Sequence, residues 1–339
     1  MNIVSSQHDG IDVEQYKTQA KELLKSAKSA EPAALERFSG FRKPIKLADA
    51  QLIIARDNGH ESWPKFQAYL LFRQAVRAFD AGDEKGLARL LTEHPGILNY
   101  RCRRGQWYES GYFKGAMLLH HVAGNPIRCR LPENVVSMAR LILERGAEAD
   151  ATTDDGGTTV GLLLTSRQSS EAATALPIIK MLGKAGARTN LGPDALLAAL
   201  TNGARGTAEA LILEGATMDL RHAAALGRLE DMQTLIAKGQ THLLEEALVM
   251  AAFWNENPAA KILIDHGAKG DVLLRPGKHA PQTALHNAAN SGNRELVEML
   301  INAGADSGVK DGRWEGTPAD WARHAGHEDL ARFIEAHEP

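Results

Sequence analysis

The chain has 339 residues, with 39 Lys+Arg against 42 Asp+Glu and a net charge of −3. This length exceeds the roughly 250 residues that one core sustains, so two domains or an elongated repeat array are expected; the balanced charge excludes a generally basic, nucleic-acid-seeking protein. Two cysteines, Cys102 and Cys129, are too few for a disulfide framework and fit a reducing, cytoplasmic setting.

Residues 1–10 are polar and are expected to fray. The opening MNIVSSQHDGIDVEQYK has no basic stretch followed by an apolar core, so no signal peptide is expected. No apolar run approaches the roughly 20 residues of a membrane span. From Asp12 to about Phe38 the spacing predicts helix, with Tyr16, Ala20, Leu23, Leu24 and Ala27 on one face, and Pro32 starts a new helix. In 47–71, Ala48, Leu52, Ile53 and Ala55 form the next apolar face. Asn58-Gly59 stops that helix; Ser62 caps the following one, with Pro64 in its first turn. Residues 1–70 are therefore expected to be a helical N-terminal cap.

Further along, one spacing recurs. A helix-breaking glycine is followed twelve positions later by a second glycine at Gly203 and Gly215, Gly227 and Gly239, and Gly292 and Gly304. Asn255 and Gly267 keep the spacing with Asn, the next residue to tolerate positive φ; Gly82 and His94 resemble it. Gly-Ala follows at 146, 186, 215, 267 and 304. The most regular stretch, 282–306, reads QTALHNAANSGNRELVEMLINAGAD, with apolar residues at three and four spacings on both sides of Gly292. It predicts two short amphipathic helices joined by a tight turn.

This stretch resembles an ankyrin repeat, whose pattern is T-P-L-H-x-A-A-x-x-G, a second helix and G-A-D, with Ala284 standing where the pattern has Pro. The closing GTPADWARHAGHEDLARFIEAHEP restores Thr317-Pro318, places Asp320 at the histidine position, keeps Gly326-His327, and has the form of a terminal capping repeat. The likeness covers roughly residues 72–337. Together with LLHHVAGN, TTVGLLLTS and the N-terminal cap, it is similar to a group of bacterial ankyrin-repeat-domain proteins. The resemblance implies an all-α ankyrin-repeat solenoid of helix-turn-helix units over 71–339, about seven to eight of them, several irregular. It also implies a binding scaffold that contacts another protein through its concave face and inter-repeat loops.

Insertions interrupt the period at NPIRCRLP (125–132, with Pro132 expected to open a helix), in the 154–177 unit, and at GDVLLRPGKHAP (270–281). Before them, YRCRRGQWYESGYFKG (100–115) concentrates Arg101, Arg103, Arg104, Trp107, Tyr108, Tyr112 and Phe113. Trp, Tyr and Arg carry interface energy, and arginines receive carboxylate or phosphate, so this loop is a candidate recognition patch; a loop packed on the cap is the plainer reading. Trp254, Trp314 and Trp321 fall on turn or first-helix positions that would face the concave side.

His120 and His286 occupy the T-P-L-H position and are expected to bond the turn itself. Cys102, Cys129, His120 and His121 lack paired ligand spacing, so no metal is expected. Asp154-Asp155-Gly156-Gly157 reads as a β-turn. No nucleophile motif or strand-led glycine loop appears, so catalytic residues stay unassigned, and no cofactor, nucleic acid or membrane partner is expected. The alternative is an atypical enzyme or small-molecule binder, with insertions at 101–115, 124–132 and 270–281 closing a pocket lined by Arg101, Tyr112, His121 and Trp321.

Overall fold

The computed structural model describes residues 12–105, 108–109, 111–124, 130–188, 193–274 and 281–337, with only the backbone given for Tyr112, Pro193 and Asp194. Among these residues the regular structure is helical, with three isolated antiparallel bridges, Cys102–Ala116, Thr152–Thr158 and Leu274–Gln282. Contacts divide the chain into two compact units: 1–162 with 177–188, and 163–176 with 189–339.

The first unit begins with α1 (Val13–Lys28), α2 (Pro32–Arg37), α3 (Leu47–Asp57) and α4 (Trp63–Asp80). Its starts follow the expected caps. Asp12 accepts from Glu14 N, Pro32 opens α2, and Ser62 accepts from Lys65 N with Pro in the first turn of α4. Asn58 caps the end of α3. Val13, Ala20, Ala27, Ile53, Ile54, Phe66 and Leu70 share one core. α4 is continuous across position 70, where the sequence places the edge of the cap.

Next come α5 (Glu84–Glu93), a 3-10 helix at Leu118–Ala123, and α6 (Val135–Glu144). All six residues of the 3-10 helix are buried. Pro132 does not open α6. The helix starts at Val135 after Asn134, whose side-chain amide donates to Gly82 O at 3.0 Å and ties this turn to the preceding one. The helices α7 (Thr159–Leu164), α8 (Arg167–Glu171) and α9 (Ala175–Lys184) follow.

In the second unit the helices come in pairs: α10 (Pro193–Thr201) with α11 (Arg205–Leu213), α12 (Leu220–Ala225) with α13 (Leu229–Ala237), α14 (Leu244–Phe253) with α15 (Asn257–Asp265), α16 (Ala284–Asn290) with α17 (Arg294–Asn302), and α18 (Pro318–His324) with α19 (Glu328–Glu335). The first helices stack α12 on α14 on α16 on α18. Their contact residues are small: Ala223, Ala224, Ala247, Ala251, Ala252, Ala288, Ala289, Ala319 and Ala322 are all at most 1 % exposed. Alanine faces let helix axes come close, while Leu263, Leu296, Leu300 and Ile334 from the second helices fill the layer between.

The recurring glycine spacing has a backbone cause. Gly292 ends α16 at φ +70°, and an added Cβ would meet the His327 ring of the next repeat at 2.6–2.9 Å. Asn255 holds the same position at φ +57°, as the sequence expects. Its side-chain Oδ1 accepts from Ser291 Oγ (2.7 Å) and Asn293 Nδ2 (3.1 Å). Asn255→Ala keeps the strained φ and loses both bonds, so it should cost about 1–2 kcal/mol in chemical denaturation, with Asn255→Gly costing less. Equal costs for the two would remove the conformational explanation. His94 departs from the pattern at φ −136°, because a 3-10 helix at Pro95–Asn99 follows it.

Candidate functional site

A half-open groove of about 890 Å3 lies in the second unit. It is built from consecutive first helices and the turn between them. Phe253 ends α14; Asn287 and Asn290, three apart, share a face of α16; Asp320, Trp321 and His324 share a face of α18. Gln282, Arg313, Trp314, Glu315 and Gly316 complete the lining.

The turn at 311–316 is organised by one carboxylate. Asp311 is 2 % exposed. It accepts from Arg313 N (2.8 Å), Trp314 N (2.8 Å), Gly316 N (2.9 Å) and Trp321 Nε1 (3.0 Å), and its own N–H donates to Gly316 O at 2.9 Å. Burial works against the charge, but these donors outweigh it and hold the Asp311 carboxyl below its ordinary range. The same knot keeps Glu315 at φ +54°, a conformation that non-glycine residues avoid and that recurs at binding sites.

The turn presents aromatic rings. Trp314 is 64 % exposed, with the Arg313 guanidinium 5.1 Å over its ring. Trp314 meets Trp321 edge to face at 6.0 Å, and Trp321 meets His286 at 5.4 Å. Gln282 Nε2 donates to Asn287 Oδ1 at 2.7 Å, and Asn287 Nδ2 to Thr283 O at 3.3 Å, which fixes the groove floor.

His286 braces this floor from below. Thr283 N–H donates to its Nδ1 (3.2 Å), so Nε2 carries the proton and donates to Gly316 O at 3.1 Å. His120 repeats the arrangement in the first unit: Met117 N–H donates to Nδ1, and Nε2–H to Ala151 O, both at 3.1 Å. Both imidazoles bond the turns, as the T-P-L-H position implies. At Asp320 a carboxylate replaces the ring, accepting from Thr317 N (2.9 Å) and Oγ1 (3.0 Å). His222, not singled out in the sequence, has the same role: Asp219 N–H donates to its Nδ1 at 3.1 Å.

Burial is the main cause that lowers the pKa of both His120 and His286. Their neutral forms belong to the fold, whereas the unfolded chain takes up protons near pH 6.5. The stability they contribute is therefore complete above about pH 6.5 and is lost as pH falls below it. Thermal melts at pH 7.5 and 5.5 should show a lower midpoint at the acidic pH. The double substitution His120→Gln with His286→Gln should flatten that difference, and an undiminished difference would exclude these residues as its source.

The arginine- and aromatic-rich loop at 100–115 has a different placement. Tyr108, a candidate for the recognition patch, and His121, a candidate for lining a closed pocket, are 4 % and 0 % exposed. Tyr108 Oη and His121 Nε2 are 3.2 Å apart, and both rings pack with Phe72 and Phe113. They are core, because the loop folds back on α4. Arg103 clamps Asp154 through Nε (2.7 Å) and Nη2 (2.9 Å), and Arg101 Nη1 donates to Thr152 O. Arg104 lies against Gly59 at the end of α3. Asp154 belongs to the expected turn, which Gly156 N–H closes on Thr153 O at 3.0 Å. Burial pushes the Cys102 thiol up to about 11. Trp107, Cys129 and the Tyr112 side chain lie outside the described residues, as does much of the insertions expected to close a pocket.

Trp254 stands apart from the groove lining. Its ring stacks on Arg205, whose guanidinium carbon is 5.5 Å away, and Arg205 also pairs with Glu256 at 2.8 Å. Of the sequence candidates, Trp314 and Trp321 reach the groove. Asp311 and Asn290 were missed, since a lone Asp before Gly and an Asn inside a helix carry no motif.

Residues 220–311 and 248–337 match the family model for ankyrin repeats (3 copies). Human diacylglycerol kinase iota is 32 % identical over 103 residues, 30 % of this chain and 9 % of that protein, so the chain spans about a tenth of that relative's length. Human cyclin-dependent kinase inhibitor 2A is 29 % identical over 126 residues, 34 % of this chain and 75 % of the relative. Bos taurus cyclin-dependent kinase 4 inhibitor B is 28 % identical over 131 residues, 36 % of this chain and 93 % of the relative. The crystal structure of the human ASB11 ankyrin repeat domain aligns with a TM-score of 0.38 and 18 % identity, covering 77 % of this chain and 96 % of that one. The family match shows ankyrin repeats at 220–337, where paired helices and left-handed turn residues recur, and the regular structure of the described residues is helical. No helix among the described residues is long and apolar enough to cross a membrane.

Proposed function

We propose that the chain is a protein-binding scaffold and that the groove between α14, α16 and α18 receives a segment of its partner. The observation that carries this reading is Trp314, 64 % exposed on a turn locked by four bonds to Asp311. A large apolar ring held in water by a rigid turn costs solvation until a partner covers it, and tryptophan is the residue most enriched at interface hot spots. Pre-organisation lowers the ordering cost of binding. Two relatives matched over most of their length are named as inhibitors of cyclin-dependent kinases, and so act on another protein.

The half-open groove favours an extended segment over an enclosed substrate, although its volume falls within the range of ligand sites. The test compares partner capture by the full chain with capture by Trp314→Ala. This exposed substitution should leave the melting temperature unchanged and weaken capture at least about tenfold, the effect of a hot-spot residue. Equal capture by both forms would reject the groove as the docking site. A metabolite that stabilises the fold while no protein is captured would reject the scaffold itself.

A further inference from the structure

Resting on that reading of the groove, we propose that its occupant is a basic segment and that an Arg or Lys side chain is the group it seats. Three aromatic side chains, Phe253, Trp314 and Trp321, line the groove, and indole faces attract cations more strongly than other rings do. One of them holds a cation in the free chain: the Arg313 guanidinium sits 5.1 Å over the Trp314 ring. Arg313 is exposed and its recorded contact there is the Trp314 ring.

Charge points the same way. The charged groups in the lining are Arg313, Glu315 and Asp320, one cation against two anions, of which Asp320 already pairs with Arg323 and Glu315 does not. Glu315 is exposed and makes no ion pair among the described residues, so its carboxylate is open to a partner. Asp320 stays ionised because Thr317 N–H, the Thr317 hydroxyl and Arg323 all favour its charged form. An acidic segment would meet both carboxylates; a basic one meets them together with the ring faces. Asn290, exposed at the rim, supplies an amide for the main chain of an extended peptide.

This reading makes Arg313 an internal competitor: it occupies a ring that the partner's cation would use. The two exposed charges beside Trp314 should therefore act with opposite signs. Random peptides of about twelve residues, displayed on phage, are selected on the full chain and counter-selected on Trp314→Ala. The recovered peptides are then titrated by fluorescence polarisation. The expected result is a pool enriched in Lys and Arg. Its members should bind Arg313→Ala about threefold more tightly and Glu315→Gln about threefold more weakly, with the difference shrinking as salt rises. Circular dichroism should find both variants folded, since both side chains are exposed.

Trp314-dependent peptides that are acidic or uncharged, or that weaken on Arg313→Ala, would overturn the basic occupant while leaving the groove as a peptide site. A pool with no dependence on Trp314 would overturn the groove reading and this inference together.

Discussion

Asp311→Ala is expected to lower stability by on the order of 3 kcal/mol and to loosen the groove with it. The substitution removes the acceptor of three backbone N–H groups, on Arg313, Trp314 and Gly316, and of Trp321 Nε1. Bonds to a charged acceptor are worth more than neutral ones, and the partly buried donors left behind lose that acceptor. The loss should register as a lower denaturation midpoint and a red-shifted tryptophan emission, because Trp321 loses the bond that fixes its indole. Asp311→Asn keeps one acceptor oxygen and should fall between the two. The pH dependence follows from the same bonds. The folded carboxyl titrates below the unfolded one, so its contribution is complete above about pH 4 and is lost as pH falls through the folded value. That loss begins at a lower pH than the loss set by His120 and His286. If Asp311→Ala melts with the wild type, the knot is not what holds Trp314 out.

Gly270→Val should strongly destabilise the second unit, by about 2–5 kcal/mol. Gly270 sits at φ +85°, and an added Cβ would lie 3.1 Å from Ala284 Cβ and 3.3 Å from Leu248 Cδ2 and Leu300 Cδ2. A β-branched side chain pays about 1–2 kcal/mol for that backbone region and roughly 1–3 more for overfilling a packed core. The backbone has little room to retreat: Glu245 Oε2 accepts from Gly270 N at 2.8 Å, and Ala284 N donates to Gly270 O at 3.3 Å. Gly304→Val is the control. Its φ is +92°, but nothing lies within 4 Å of an added Cβ, so only the conformational cost remains. Equal urea midpoints for the two variants would show that the clash at Gly270 is relieved at no cost.

These two residues mark where sequence reasoning stops. Gly292 and Asn255 announced themselves through a spacing of twelve, because the reason for a residue with positive φ is local and recurs with each repeat. Gly270 stands outside that spacing. Its constraint comes from Leu248, Ala284 and Leu300, on two other helix pairs, and no pattern near residue 270 encodes them. Asp311 is similar in part: three of its donors lie in its own turn, but the fourth, Trp321 Nε1, arrives only when that turn closes onto α18. Tyr108 and His121 show the reverse error. A cluster of aromatic and arginine residues has the composition of an interface, and it also has that of a buried ring cluster with ion-paired edges. Composition cannot separate the two, because which side of a ring meets water depends on where α4 lies.

The sequence alone determined the helical pairing, the helix starts at Pro32 and Ser62, the turn glycines and the turn-bonded histidines. Each rests on interactions within about four residues, or on a repeat period that copies them along the chain. Only the tertiary structure decided which exposed-looking residues are exposed. It buried Tyr108 and His121, raised Trp314 on a turn tied to Asp311, and set Phe253, Asn290 and Trp321, which together span more than sixty residues of the chain, around one groove. Exposure is a property of packing between segments, and the energy that fixes it is spread over contacts that no single stretch of the chain contains.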